Sequence, residues 1–317
     1  MDLASKLPRE HPRPHPYFET QGETITVNSR AFGPIPIHVR IWNAPSEEDG
    51  TTEERPPLLL LHGLMTSSYT WRDVIAPLGR HFTLYMPDMP GSGRSPALKT
   101  TPEPEKLGFL IEDLQKALKV GRCPVVTSDI GGYIAIRTVL GKRRGKPSIS
   151  KLVCLHPPSG PDSWHYLLKL ALQTPGLREL WGWSIRIAPE TWLKAALWMQ
   201  TPGLMSLEML NQYAPLLKSL DGSQALVQTM ADTLDPNALE TFHASLRLFN
   251  FTERPFPIPV MFMYGDRDPL IAPRHGDHIE RYMAGAKVVR INGASRLIQL
   301  DAPDRLVAYL LEFIGQS

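Results

Sequence analysis

Eight short runs rich in β-branched and aromatic residues constrain this chain more than any other feature. They are TITVN from Thr24, IHVRIW from Ile37, PLLLLH from Pro57, FTLYMPD from Phe82, CPVVTSD from Cys123, KLVCLH from Lys151, VMFMYGD from Val260 and KVVRIN from Lys287. Several are apolar almost throughout and lack the polar alternation of a sheet wetted on one side, so both of their faces must be covered. The later runs are separated by segments with apolar residues every three or four positions, such as PEKLGFLIEDLQKALKV from Pro104; a similar one, APDRLVAYLLEFI from Ala302, follows the last run. Buried strands alternating with amphipathic helices predict an α/β fold, a mostly parallel eight-stranded sheet flanked by helices.

One stretch breaks the alternation. From Pro157 to about Arg254 there is no strand run, only helical segments punctuated by Pro and Gly: SWHYLLKLALQ, GLRELWGWSIRI, PETWLKAALWMQ, SLEMLNQYAPLLKSL and a long run through TFHASLRLF. This stretch holds five of the seven tryptophans, enough apolar bulk for a core of its own and for contact with the main body. It predicts an inserted helical cap, a lid of residues 157–254, on a core formed by residues 23–156 and 255–317. Residues 1–22, rich in Pro and His, read as a loosely attached N-terminal arm, and Ser46 to Pro56 as a charged loop.

Composition excludes some functions. Of 317 residues 42% are hydrophobic, which suits a large core, and 34 basic against 32 acidic side chains leave a net charge of +2. That balance gives no reason to expect a nucleic-acid partner. Cys123 and Cys154 lie in apolar runs and read as packed thiols, which points to a cytoplasmic chain. No segment approaches the ~18 apolar residues of a membrane span, and the N-terminus lacks the apolar stretch of a signal peptide, so no membrane partner is expected.

In an open parallel sheet, ligands bind beyond the carboxyl ends of the strands. Four such ends carry unusual residues: His62-Gly63-Leu64-Met65-Thr66, Ser128-Asp129-Ile130-Gly131-Gly132, Gly265-Asp266-Arg267-Asp268-Pro269 and Gly293-Ala294-Ser295-Arg296. With MPDMPGSGRS from Met86 and Leu300-Asp301-Ala302-Pro303, their order and spacing resemble the α/β-hydrolase superfamily, especially the lid-bearing group of epoxide hydrolases, haloalkane dehalogenases and esterases. The resemblance spans nearly all of the chain except the arm.

The nucleophile elbow of that superfamily needs small residues around a strained turn. Gly131 and Gly132 set the register and put Asp129 at the nucleophile position; Thr127 stands where the pattern has Gly, and choosing Ser128 instead would leave Ile130 at a crowded position. The resemblance implies oxyanion-hole donors at the backbone N–H groups of Leu64 and Ile130 and a triad acid at Asp268. Read as residues alone, Asp129 could equally be a carboxylate held by helix amides and a basic neighbour, and Asp268 a helix cap.

Where the resemblance places the catalytic histidine, this chain has Arg296. A guanidinium keeps its proton above pH ~12 and cannot activate water. The candidate substitutes are His62, His156, His243, His275 and His278, of which His156, at a strand end, is expected to face the pocket mouth. The favoured reading pairs Arg296 with Asp129 and Asp268. It makes the chain an enzyme acting on a small, mostly apolar organic molecule by non-hydrolytic acid/base or electrostatic catalysis, such as isomerisation, elimination or cyclisation. Two alternatives stay open: an Asp-nucleophile hydrolase of epoxide hydrolase or dehalogenase type with another base, and a non-catalytic ligand-binding protein. No cofactor is expected, since the Gly-rich run lacks a Lys-Ser/Thr ending. No metal is expected either, since Asp266, Asp268 and His275 need not converge. The basic run Lys142 to Lys146 reads as a solvated helix end.

Overall fold

The computed structural model describes residues 13–44, 55–99, 103–140, 146–174, 176–201, 204–251, 256–272 and 274–315. Most of the charged loop expected at 46–56 and of the basic run expected at 142–146 lies outside them. All eight strand runs form strands: β1 (Gln21–Ser29), β2 (Gly33–Trp42), β3 (Pro57–Leu61), β4 (Thr83–Pro87), β5 (Cys123–Ser128), β6 (Ile149–Leu155), β7 (Val260–Gly265) and β8 (Lys287–Ile291). They make one sheet in the order β1-β2-β4-β3-β5-β6-β7-β8. β1, β2 and β4 pair antiparallel; every pairing from β4 through β3 to β8 is parallel.

Burial follows the sequence pattern. Leu58, Leu59, Leu60 and Leu61 of β3 are all buried, as is every residue of β7. Each such leucine contributes ~1.5–3 kcal/mol. β1, at the sheet edge, buries only Val27 and Ser29. Helices α1 (Arg72–Gly79), α2 (Pro104–Ala117) and α3 (Ile130–Leu140) connect the first half of the sheet. The chain before β1 is tied down at Tyr17, which is buried, bonds Ser68 Oγ at 2.8 Å and meets Tyr69 edge-on at 4.9 Å.

Between β6 and β7 the described chain is helical: α4 (Ser163–Gln173), α5 (Leu177–Ile187), α6 (Pro189–Gln200), α7 (Leu207–Leu217), α8 (Leu220–Thr233) and α9 (Pro236–Phe251). The long run through TFHASLRLF is two helices. Pro236 cannot continue α8, and Asp235 Oδ1 caps α9 by accepting the Asn237 N–H at 2.7 Å. The core resumes with α10 (Arg274–Tyr282), α11 (Ile298–Asp301) and α12 (Pro303–Gly315).

Candidate active site

β5 delivers its carboxyl end into a turn only one register can make. Asp129 has φ +58, and its N–H donates to Leu155 O at 2.7 Å; α3 starts at the next residue. Aspartate tolerates this left-handed conformation better than most residues, but it is held there rather than preferred. A Cβ on Gly132 would lie 2.9 Å from Pro157 Cβ and 3.0 Å from Cys154 Cβ, so α3 can sit against β6 only with glycine there. Thr127 is tolerated because Gly131 leaves it room; a Cβ on Gly131 would stand 3.3 Å from Thr127 Cβ. Ser128 stays inside β5.

The loop after β3 comes close because Gly63 has no side chain: a Cβ there would fall 2.7 Å from Asp129 Cβ. Leu64 N–H then donates to Asp129 Oδ2 at 3.3 Å. One expected oxyanion donor is therefore engaged by the Asp129 carboxylate itself. The other, Ile130 N–H, is in the first turn of α3, where amides have no partner within the helix.

Arg296 sits across from Asp129. Its side chain is buried, with one guanidinium nitrogen in a short bond to Asp129 Oδ1 and the other 3.1 Å from Asp268 Oδ2. Burial works against its charge, but Asp129 and Asp268 outweigh it and raise its pKa, so the cation is permanent. Asp268 is fully enclosed; burial alone would raise its pKa, yet Arg296 and His156 hold it well below the usual carboxylate range. Its Oδ1 accepts the N–H groups of Leu270 and Ile271 at 2.8 and 3.1 Å, so capping and ion pairing coexist.

His156 departs from expectation. It does not face a pocket mouth: it is fully buried behind Asp268, with Nδ1 2.8 Å from Asp268 Oδ2 and Nε2 accepting the Gly265 N–H at 3.0 Å. Its backbone, at φ +50 with its N–H bonded to Met263 O, turns the ring toward β7. His62 braces its loop, with Nδ1 2.8 Å from Gly63 O and Nε2 accepting Met89 N–H at 2.9 Å.

Sequence reasoning missed two supports. Asp301 holds the Arg296 loop by accepting Ser295 N–H at 2.9 Å, and it accepts Thr201 Oγ1 at 2.9 Å. Gln200 O, ending α6, accepts Ser295 Oγ at 2.7 Å and Arg296 N–H at 3.2 Å, so the helical insertion is bonded to the segment that carries the guanidinium. The second support is a neutral cluster. His275 Nδ1 accepts Ser159 N–H at 3.0 Å, and its Nε2 lies 2.8 Å from Asp162 Oδ2. Asp162 also pairs with Arg274 and caps α4, while His165 Nδ1 accepts Asp162 N–H at 2.9 Å. Burial, His275 and Arg296 lower the His165 pKa to about 4; burial, Arg274 and Arg296 lower that of His275 to about 4 against the pull of Asp268.

Four imidazoles share one property. In His62, His156, His165 and His275 one ring nitrogen already accepts a backbone N–H, so the other carries the proton and is a donor. None of the four offers a vacant acceptor, and among the described residues no imidazole is hydrogen-bonded to Asp129. Asp266 Oδ1 accepts Gly293 N–H at 2.7 Å, away from Asp268, and no group of three His, Cys, Asp or Glu among the described residues is arranged to hold a metal ion.

Comparison with known proteins agrees with the fold. The family model of the alpha/beta hydrolase fold matches residues 56–303, and the chain belongs to that family. Epoxide hydrolase 3 of Xenopus tropicalis is 23% identical over 278 residues, 84% of this chain and 73% of that one. The solved epoxide hydrolase CorEH superposes with a TM-score of 0.72 at 18% identity, covering 93% of this chain and 99% of that one. A thermophilic esterase from Thermogutta terrifontis gives 0.67 at 19%, covering 93% and 98%.

Proposed function

We propose that the chain is an α/β-hydrolase-fold enzyme that binds a small, mostly apolar organic substrate between the core and the helical insertion, which acts as its lid, and transforms it without water. The observation that carries this reading is the Arg296 guanidinium bridging Asp129 and Asp268 while His62, His156, His165 and His275 each have the acceptor nitrogen occupied. A covalent ester on Asp129 would lack the general base that removes it, a contribution worth ~10²–10⁴ in rate.

The same residues suit proton transfer. Asp129 takes a proton from a carbon next to a carbonyl, and Arg296 keeps that carboxylate in place. The amide of Ile130 receives the negative charge that develops on the substrate oxygen, while Leu64 N–H holds the Asp129 carboxylate. Returning the proton to a different carbon completes an isomerisation in which nothing is added or lost; expelling a leaving group instead gives elimination. Asp268, braced by His156, serves as counter-charge that fixes the guanidinium. Free, buried Cys123 and Cys154 are in keeping with a reducing, cytoplasmic setting.

The test is a screen of small carbonyl compounds in deuterated water, read by mass spectrometry. The expected product has the substrate's composition apart from solvent deuterium, or that composition less a proton and a leaving group, and both Asp129→Asn and Arg296→Ala abolish it. A product heavier by one water, or full turnover by Arg296→Ala, overturns the reading. The second reading, an Asp-nucleophile hydrolase, draws support from the left-handed elbow at Asp129 and from relatives named as epoxide hydrolases.

A further inference from the structure

Helix α5 is apolar on two opposite sides. Gly182 and Ile185 face inward, while Leu180, Trp183 and Ile187, spaced three and four residues apart on the opposite side, are 55%, 54% and 61% exposed. Neighbouring α4 adds Leu167 and Leu170, 70% and 69% exposed, and α6 adds Trp198 at 64%. A helix apolar on both sides is built to be covered on both, and exposed apolar side chains on three neighbouring helices mark an interaction surface.

The charges around the patch select its occupant. Residues 163–200 carry four basic side chains (Lys169, Arg178, Arg186, Lys194) against two acidic ones (Glu179, Glu190), a net +2 that equals the net charge of the entire chain. Four of these six charges are engaged: Lys169 pairs with Asp235 at 3.0 Å, Arg178 with Glu179 at 3.8 Å and Glu190 with Lys218 at 3.1 Å, and Glu179 Oε2 also accepts Gly176 N–H at 3.1 Å. Arg186 and Lys194 form no ion pair among the described residues. Two copies joined through this face would bring like charges together at the rim, whereas a negatively charged surface would be drawn to it.

From these observations we propose that the α4–α5–α6 face docks on the headgroup region of an anionic phospholipid bilayer. Leu167, Leu170, Leu180 and Ile187 enter the acyl boundary, Trp183 and Trp198 lie at the interface, and Arg186 and Lys194 contact lipid phosphate. The expectation of no membrane partner rested on the absence of a spanning segment. No helix among the described residues is long and apolar enough to cross a membrane, but a face that lies on the surface needs none.

Flotation of the full chain with vesicles tests this. Phosphatidylcholine vesicles containing about a third phosphatidylglycerol should carry the protein, and pure phosphatidylcholine should carry about tenfold less. Raised salt should weaken the anionic binding. L180S/W183S should lower binding to anionic vesicles by about tenfold or more while the thermal transition stays cooperative. Phe109→Ser, which removes an exposed apolar side chain on α2, should bind as the unaltered chain does. Failure to float with either composition overturns the proposal. So does a concentration-dependent dimer that L180S/W183S dissolves, which would assign the face to a second copy, or an equal loss of binding in Phe109→Ser.

Discussion

Two buried polar clusters lie beyond the strand ends, and they solve the same problem in opposite ways. Asp129, Arg296 and Asp268 keep permanent charge in a nearly dry site by setting one guanidinium against two carboxylates. Ser159, Asp162, His165 and His275 instead keep two imidazoles neutral, each oriented by a backbone N–H. The first arrangement fixes charge where a reaction can use it. The second positions the start of α4 and stays silent near neutral pH, so acid should separate the two.

Breaking the charged cluster has the largest expected effect. Arg296→Met leaves Asp129 and Asp268 buried without their cation and should cost about 3–5 kcal/mol in denaturant unfolding. A loss under about 1 kcal/mol would mean that solvent already relieves those charges.

Acid titration isolates the neutral cluster. His165 and His275 titrate at about 4 when folded and near 6.5 when unfolded, so between those values the unfolded chain binds more protons. Their contribution is complete above about pH 6.5 and falls as the pH drops toward 4, by an amount on the order of a few kcal/mol. Asp268, held below its ordinary range, adds its own loss only below about pH 4. Melting curves across this range should show the decline, and H165L/H275L should flatten it.

Smaller substitutions sharpen the contrast. Gly63→Ala pushes a methyl toward Asp129 Cβ and should cost about 1–3 kcal/mol while weakening the Leu64 contact. Thr201→Val removes one bond to Asp301 and should cost about 1 kcal/mol. If Thr201→Val also altered turnover, the tie between the insertion and the Arg296 loop would matter to chemistry as well as to stability.

What could be read in the sequence was local. Strand runs report burial on both faces, and the crowding that demands Gly132 also sets the Asp129 register, so sheet and elbow were both legible. The α8–α9 break hides because the apolar spacing continues through Leu234; Asp235-Pro236 was the available signal. His156 was misplaced because its orientation depends on a backbone twist and on Gly265, 109 residues away. The ties from Thr201 and Gln200 to the Arg296 loop, and from Asp162 to His275, join residues about a hundred positions apart, and one sequence carries no trace of such pairings.

The central claim is that Asp129 moves protons and does not hold a covalent ester. Intact-mass analysis, followed by peptide mapping, of the chain incubated with small epoxides and alkyl halides tests this most directly. The expected result is an unchanged mass; one equivalent of reagent bound at Asp129, accumulating because nothing hydrolyses it, would contradict it.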